Sequence, residues 1–188
     1  MNNYIEWFKK NKITEVECLI PDNSGIPRGK ILPTKKFLSS FESGGLRLPL
    51  HLFKLAVSRS VSYSIDDQLL NPTDGDFILK PDFNTLRVVP WYEEPTAQII
   101  CDAVDSKENE IEVYSRGILK RVISLFNNIG LEPIIAPEIE FYLVKKNNDP
   151  DYPLETPSGQ SGRIEKGNQS YGIDAINEFD HIFEDLYD

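Results

Sequence analysis

Apolar and polar positions alternate through much of the first hundred residues. Residues 2–12 carry apolar positions at helical spacing, which predicts a short amphipathic helix. A hairpin is predicted over 14–32, from the alternating run EVECLI, the turn PDNSGIPRG and the run KIL. Pro33 and the Gly44–Gly45 pair bracket a second short helix. Short apolar runs over 50–104, separated by turn signals, predict several more strands.

The pattern changes period after residue 106. Ser115 is a good helix cap, and the apolar positions that follow recur every three or four residues up to Gly130. A strand is predicted over 135–143, a polar loop rich in Pro and Gly over 145–170, and another helix over 171–188. The chain is therefore expected to have two parts, a mostly β part and the start of an α/β part.

The segment APEIEFYLV, residues 136–144, places two carboxylates in an apolar run. In a strand, Glu138, Glu140 and Tyr142 share one face, with the two glutamates roughly 7 Å apart along the backbone. The opposite face is predicted to be core: Ile135, Pro137, Ile139, Phe141 and Leu143. Two interpretations stand at this point, a solvated strand face, which is favoured for such a pair alone, and a site for a hard divalent cation.

Composition narrows the classes of function. The 188 residues carry a net charge of -10 with no basic stripe, which argues against nucleic-acid binding. No apolar run reaches transmembrane length and no signal peptide follows Met1, so neither a membrane nor secretion is predicted, and the cytoplasm is the expected location. Cys18 and Cys101 lie in apolar runs and are predicted to be buried, reduced thiols.

Three longer stretches resemble the glutamine synthetase family: SRGILKRVISLFNNIGLEPIIAPEIEFYLV, DGDFILKPDFNTLRVVPW and GRIEKGNQSYGIDAINEFDHIFEDLYD. The last is most similar to the branch of γ-glutamylpolyamine, or glutamate–putrescine, ligases. The resemblance implies an α+β fold, with an N-terminal β-grasp domain over 1–106 and the truncated start of the glutamine synthetase-type catalytic α/β domain over 107–188.

The resemblance also implies an activity. Members of this family are ATP-dependent ligases of nitrogen metabolism, including glutamine biosynthesis. They join ammonia or a polyamine to the γ-carboxylate of glutamate through a γ-glutamyl phosphate. Glu138 and Glu140 would be ligands of Mg²⁺ or Mn²⁺ in a two-metal site, whereas no catalytic or ATP-contacting residue is assigned. The full-length protein would form a homo-oligomeric ring.

Two departures from the family pattern matter. Further metal ligands and arginines of the family have no counterpart in the chain, so it is expected to be an N-terminal portion without activity of its own. The position expected to carry an ammonium-binding loop aspartate has Val57 or Ser58. Alternatives remain open: a non-catalytic fragment or regulatory subunit that binds a partner through the same fold, or an unrelated β-grasp interaction module. Ammonia and polyamine also remain alternatives for the amine.

Overall fold

The computed structural model describes residues 2–40, 43–54, 75–167 and 169–187, which fall into two compact units, Met1–Pro133 and Ile134–Asp188. The elements of the first unit are, in order, α1 (Asn2–Lys10), β1 (Glu15–Pro21), β2 (Pro27–Pro33), α2 (Thr34–Ser40), β3 (Leu46–Pro49), a 3₁₀ helix (Leu50–Lys54), β4 (Asp76–Pro81), a 3₁₀ helix (Phe83–Thr85), β5 (Arg87–Val88), β6 (Thr96–Val104) and α3 (Ser115–Asn128). The second unit contains α4 (Ile173–Asn177) and α5 (Asp180–Tyr187).

Within the described residues, the first unit is built on a sheet in the order β2-β1-β6-β4-β3, with β5 also paired to β6. The hairpin of β1 and β2 is antiparallel, and β1 runs parallel to β6. The long strand β6 divides its partners: Thr96–Ile100 pairs with β1, and Cys101–Val104 pairs with β4. Strand β6 is therefore the centre of the sheet.

The sheet buries one face in an apolar core. Alternate residues of β1 and β6 point into it, as the period of two requires, and the two short helices α1 and α2 contribute one phenylalanine each. The principal core side chains are Phe8, Val16, Cys18, Ile20, Phe37, Phe53, Phe77, Ala97, Ile99, Cys101, Ala103 and Tyr114. The prediction of buried, reduced cysteines is confirmed, since Cys18 and Cys101 are both buried and free.

Most sequence predictions for the first unit are confirmed. The helix near the N-terminus, the hairpin, the helix after Pro33 and the helix from Ser115 all form at the expected places. The predicted cap of the last helix is wrong, since Tyr114 is its N-cap residue and Ser115 is its first helical residue. The mixed α+β class is also confirmed. Residues 55–74, which include the predicted run VSYSI as well as Val57 and Ser58, lie outside the described residues. No helix in the described chain is long and apolar enough to cross a membrane.

Two predictions for the second unit are wrong. Residues 131–147 form no strand, and Ile135, Ile139 and Phe141 are exposed instead of buried. A strand needs a neighbour to take its backbone hydrogen bonds, and the described part of this unit offers none to the segment. The single helix expected over 171–188 is divided into α4 and α5, with Phe179 between them buried. The boundary between residues 106 and 107 stays a prediction.

Candidate functional site

Glu138 and Glu140 lie in an extended, solvent-facing segment of the second unit. Both side chains are exposed, as is Tyr142, at 95% of its maximal area. Neither glutamate forms a hydrogen bond or an ion pair within the described chain. The shared strand face predicted for the two glutamates does not form, because residues 131–147 form no strand. Their role as metal ligands stays a prediction.

The carboxylate oxygens of these glutamates are suitable ligands for a magnesium ion, but two carboxylates are too few to fill its coordination shell. The two carboxylates offer the hard oxygen ligands that Mg²⁺ prefers, and Mg²⁺ takes six ligands in an octahedral arrangement. Nowhere in the described residues do three or more His, Cys, Asp or Glu side chains gather as a metal site. Glu138 and Glu140 could therefore supply part of a metal site whose other ligands are water, substrate or other groups.

The second unit also contains a cavity of about 370 Å³ beside α4. Arg163, Lys166, Asp174 and Glu178 contribute charged groups to its wall. The pKa of Glu178 is lowered, chiefly because the backbone N–H of Ser161 donates a 2.8 Å hydrogen bond to its Oε2. This hydrogen bond therefore joins the loop around Ser161 to the turn between α4 and α5, so the role of the carboxylate is structural.

A hydrogen-bond network lies on the sheet face opposite the core. Glu17 is buried, its Oε1 accepts from the Tyr92 hydroxyl at 2.7 Å, and its Oε2 accepts from Gln98 Nε2 at 2.9 Å. Arg87 Nε in turn donates to Gln98 Oε1 at 3.0 Å. The pKa of Tyr92 is raised, first because its proton is held by Glu17. The network ties the Tyr92 side chain to Glu17 of β1.

Farther along the same face, Asp102 of β6 contacts two cationic side chains of α3 and the hydroxyl of Tyr114, the residue just before α3. Arg116 Nε donates to Asp102 Oδ1 at 2.9 Å, and Lys120 pairs with Asp102 Oδ2. Arg116 also pairs with Asp82, and the Tyr114 hydroxyl lies 3.5 Å from Asp102 Oδ1. Burial, and then the charge of Asp102, raise the pKa of Tyr114 to about 12.

Sequence reasoning missed both polar clusters. A signal was present, since Glu15 and Glu17 alternate with the apolar residues of β1, and Gln98 and Asp102 do the same in β6. The pattern alone cannot tell which partner meets each of these side chains, because the parallel register of β1 and β6 joins residues 81 positions apart.

Comparison with known proteins finds a family match in the later part of the chain. Residues 112–188 match the family described as glutamine synthetase, catalytic domain. The chain is 41% identical over 78 residues to a glutamine synthetase of Methanococcus voltae, covering 40% of this chain and 18% of that one. It is 26% identical over 190 residues to gamma-glutamylputrescine synthetase PuuA of Escherichia coli (strain K12), covering 99% of this chain and 39% of the relative. It is 27% identical over 139 residues to a glutamate–isopropylamine ligase of a Pseudomonas species, covering 74% of this chain and 30% of that one.

A solved structure shares the fold. The crystal structure of a novel glutamine synthase homolog matches 62% of this chain and 27% of that one, with a TM-score of 0.51 and 17% identity. The resemblance to the glutamine synthetase family, including members that act on amines, is therefore confirmed. The chain spans less than two fifths of the length of the three relatives described above.

Proposed function

We propose that this chain, a member of the glutamine synthetase family, is the N-terminal portion of an ATP-dependent ligase that joins an amine to the γ-carboxylate of glutamate. The observation that carries the proposal is the match of residues 112–188 to the catalytic domain, because that range contains Glu138 and Glu140. Such a reaction consumes ATP and glutamate, so the cytoplasm is the proposed location.

Glu138 and Glu140 are the proposed metal ligands. Glu138 would hold a divalent cation, Mg²⁺ or Mn²⁺, at the phosphates of ATP, and Glu140 would hold a second one near glutamate and the amine. A cation bound there neutralises charge on the transferring phosphoryl group. The exposure of both side chains, and their lack of partners among the described residues, support this assignment, since both carboxylates are available as ligands.

Chemically, the proposed reaction has two steps. The γ-carboxylate of glutamate attacks the terminal phosphorus of ATP, which releases ADP and forms γ-glutamyl phosphate. The amine nitrogen then attacks the γ-carbonyl carbon, loses a proton, and expels phosphate to leave an amide. The chain's proposed share is to hold the phosphoryl group in position through its two carboxylates, since catalysis of phosphoryl transfer is mainly positioning and charge stabilisation.

The proposed domain organisation places a β-grasp domain at 1–106 and the start of the catalytic domain at 107–188. The hairpin of β1 and β2, the parallel pairing of β1 with β6 and the packing of α1 and α2 on one face support a β-grasp assignment. For the full-length protein we propose a homo-oligomeric ring, in which one subunit completes the catalytic cleft of the next.

Ammonia and a longer amine are both proposed substrates at the level of the family. The likeness to gamma-glutamylputrescine synthetase PuuA extends over 99% of this chain, and this supports a polyamine. The higher identity to a glutamine synthetase over 78 residues supports ammonia. A comparison of ammonia with putrescine as the amine, in an active protein that carries this segment, separates the two.

A paramagnetic titration of the 188-residue chain tests the proposed ligands. Mn²⁺ added in small amounts should broaden the backbone amide resonances of residues 137–141 first, because bound Mn²⁺ relaxes nearby nuclei. The double substitution of Glu138→Gln and Glu140→Gln should abolish that selectivity, whereas Glu132→Gln should leave it unchanged. Broadening that is uniform, or that centres on Glu93 and Glu94, would count against the assignment.

A further inference from the structure

Helix α3 is attached to the sheet in an unusual way. Only Gly117 of its residues is buried, although its sequence carries an apolar stripe. Five apolar side chains of the helix are between 40% and 65% exposed: Ile118, Leu119, Val122, Leu125 and Phe126. The usual source of helix stability in a protein, burial of an apolar face, is therefore small for this helix in the first unit.

Among the described residues, contacts of two different physical kinds hold the start of α3. The first is apolar: Tyr114, the residue just before the helix, is fully buried and its ring lies 5.8 Å from that of Phe53. The second is ionic and consists of Asp82, Asp102, Arg116 and Lys120, which we call the ionic cluster. The helix has no side-chain hydrogen bond at its N-cap, and no acidic residue in its first turn, to help hold it.

The ionic cluster is well placed to be strong. The side chains of Asp102 and Arg116 are 12% and 22% exposed, so their attraction is less screened than that of a surface pair. Asp102 accepts hydrogen bonds from two cationic side chains on successive turns of α3. Arg116 also pairs with a second carboxylate, Asp82, which directly follows β4. Both carboxylates belong to the sheet side and both cations to the helix, so every ion pair in the cluster joins the two.

We propose that the ionic cluster is an electrostatic latch that holds α3 on the sheet and that releases the helix without unfolding the sheet. The core lies on the other face of β1 and β6, so loss of the latch leaves that core in place. The Tyr114 hydroxyl lies 3.5 Å from Asp102 Oδ1, but its ring stays held by the core and by Phe53. Tyr114 then acts as the pivot. Since the match to the catalytic domain begins at residue 112, the latch joins the N-terminal sheet to the first helix of the matched region.

This inference concerns the 188-residue chain and does not depend on the ligase reaction. Amide hydrogen exchange followed by mass spectrometry measures it peptide by peptide. In Asp102→Asn at low ionic strength, peptides from 116–128 should exchange at least about tenfold faster than in the wild type, because charge-assisted hydrogen bonds are lost. Peptides from β1 and from 96–101 should exchange at the wild-type rate.

Salt and two further variants complete the test. High salt should speed exchange of the 116–128 peptides in the wild type and have little further effect in Asp102→Asn, because the pairs it screens are already broken. Lys120→Gln removes one ion pair of the cluster, whereas Asp102→Asn removes two. The exchange rate of the 116–128 peptides in Lys120→Gln should therefore lie between those of the wild type and Asp102→Asn. Glu108→Gln removes a carboxylate from the exposed pair with Lys80 and should match the wild type.

Three results would overturn the latch. The first is unchanged exchange of the 116–128 peptides in both Asp102→Asn and Lys120→Gln. The second is an equal acceleration of α3 and of the sheet in Lys120→Gln, which would mean that the helix opens only when the whole unit unfolds. The third is an effect of Glu108→Gln as large as that of Lys120→Gln, which would show a general response to charge.

Discussion

Gly117 lies so close to the ring of Tyr114 that a Cβ at position 117 would be 2.5 Å from Tyr114 Cε1 and 2.8 Å from Cζ. Glycine is costly in a helix, yet here its missing side chain allows the first turn of α3 to sit directly on a buried aromatic ring. The two residues therefore fix the approach of α3 to the core.

Gly117→Ala should destabilise the first unit, although alanine is the better helix former. The ring of Tyr114 is fully buried, so overpacking should outweigh the gain in helix propensity and cost about 1–2 kcal/mol of unfolding free energy. Chemical denaturation measures the change. Gly75→Ala is the control, because no atom of the described residues lies within 4 Å of the added Cβ, and stability equal to that of the control would contradict the packing argument.

Asp22 should stabilise the hairpin turn at neutral pH and lose this effect in acid. Burial raises the pKa of Asp22, but hydrogen bonds from the Ile26 and Ser24 amides and from Arg28 outweigh it, so that the pKa is lowered overall. Because the folded-state pKa lies below the unfolded value, the contribution is present above about pH 4 and is lost as the pH falls through the folded-state pKa.

Asp22→Asn tests this dependence by denaturation at several pH values. The substitution should cost about 2 kcal/mol at pH 7, since charge-assisted hydrogen bonds to Arg28 are lost, and the difference from the wild type should shrink as the pH falls below about 4. Asp151→Asn, at an exposed position, serves as the control. A cost that does not change between pH 7 and pH 2 would exclude the proposed charge effect.

Tyr114 should make the protein sensitive to strong alkali. Its pKa is raised to about 12, whereas an unfolded tyrosine ionises near 10, so the folded state favours the neutral phenol. The resulting stability is complete below about pH 10 and is lost as the pH rises toward 12. Tyr114→Phe should flatten the fall of unfolding free energy over this window, and Tyr142→Phe, at an exposed ring, should leave the slope unchanged. Equal slopes in all three proteins would contradict the prediction.

Sequence reasoning succeeded where local pattern determines structure. The hairpin follows from the alternation in β1 and the Asp-Asn-Ser-Gly turn, in which Gly25 adopts a φ of +77°. The segment around Glu138 shows the limit: its pattern has a strand's period, but pairing depends on neighbours that the described chain does not supply. The Glu17–Gln98 and Asp102–Arg116 contacts were unpredicted because they depend on register and on where α3 meets the sheet.

The 188-residue chain alone should not catalyse the ligase reaction. As the proposed ligands, Glu138 and Glu140 would supply one carboxylate each to a pair of metal ions that take about six ligands apiece, and water does not fix phosphates for in-line transfer. Phosphate release from ATP with glutamate, Mg²⁺ and either ammonia or putrescine should equal the rate without protein. Turnover that requires glutamate and disappears in Glu138→Ala would show that the chain is sufficient for activity.

The central claim is that residues 112–188 form a working part of a glutamate–amine ligase, with Glu138 and Glu140 as metal ligands. The most direct measurement is glutamate-dependent phosphate release by a Methanococcus voltae glutamine synthetase in which these residues replace the matching segment. The account predicts that the chimera is active, that Glu138→Ala and Glu140→Ala each lower its rate at least about a hundredfold, and that Glu132→Ala does not. A folded chimera without activity, or one whose activity survives both substitutions, would contradict the account.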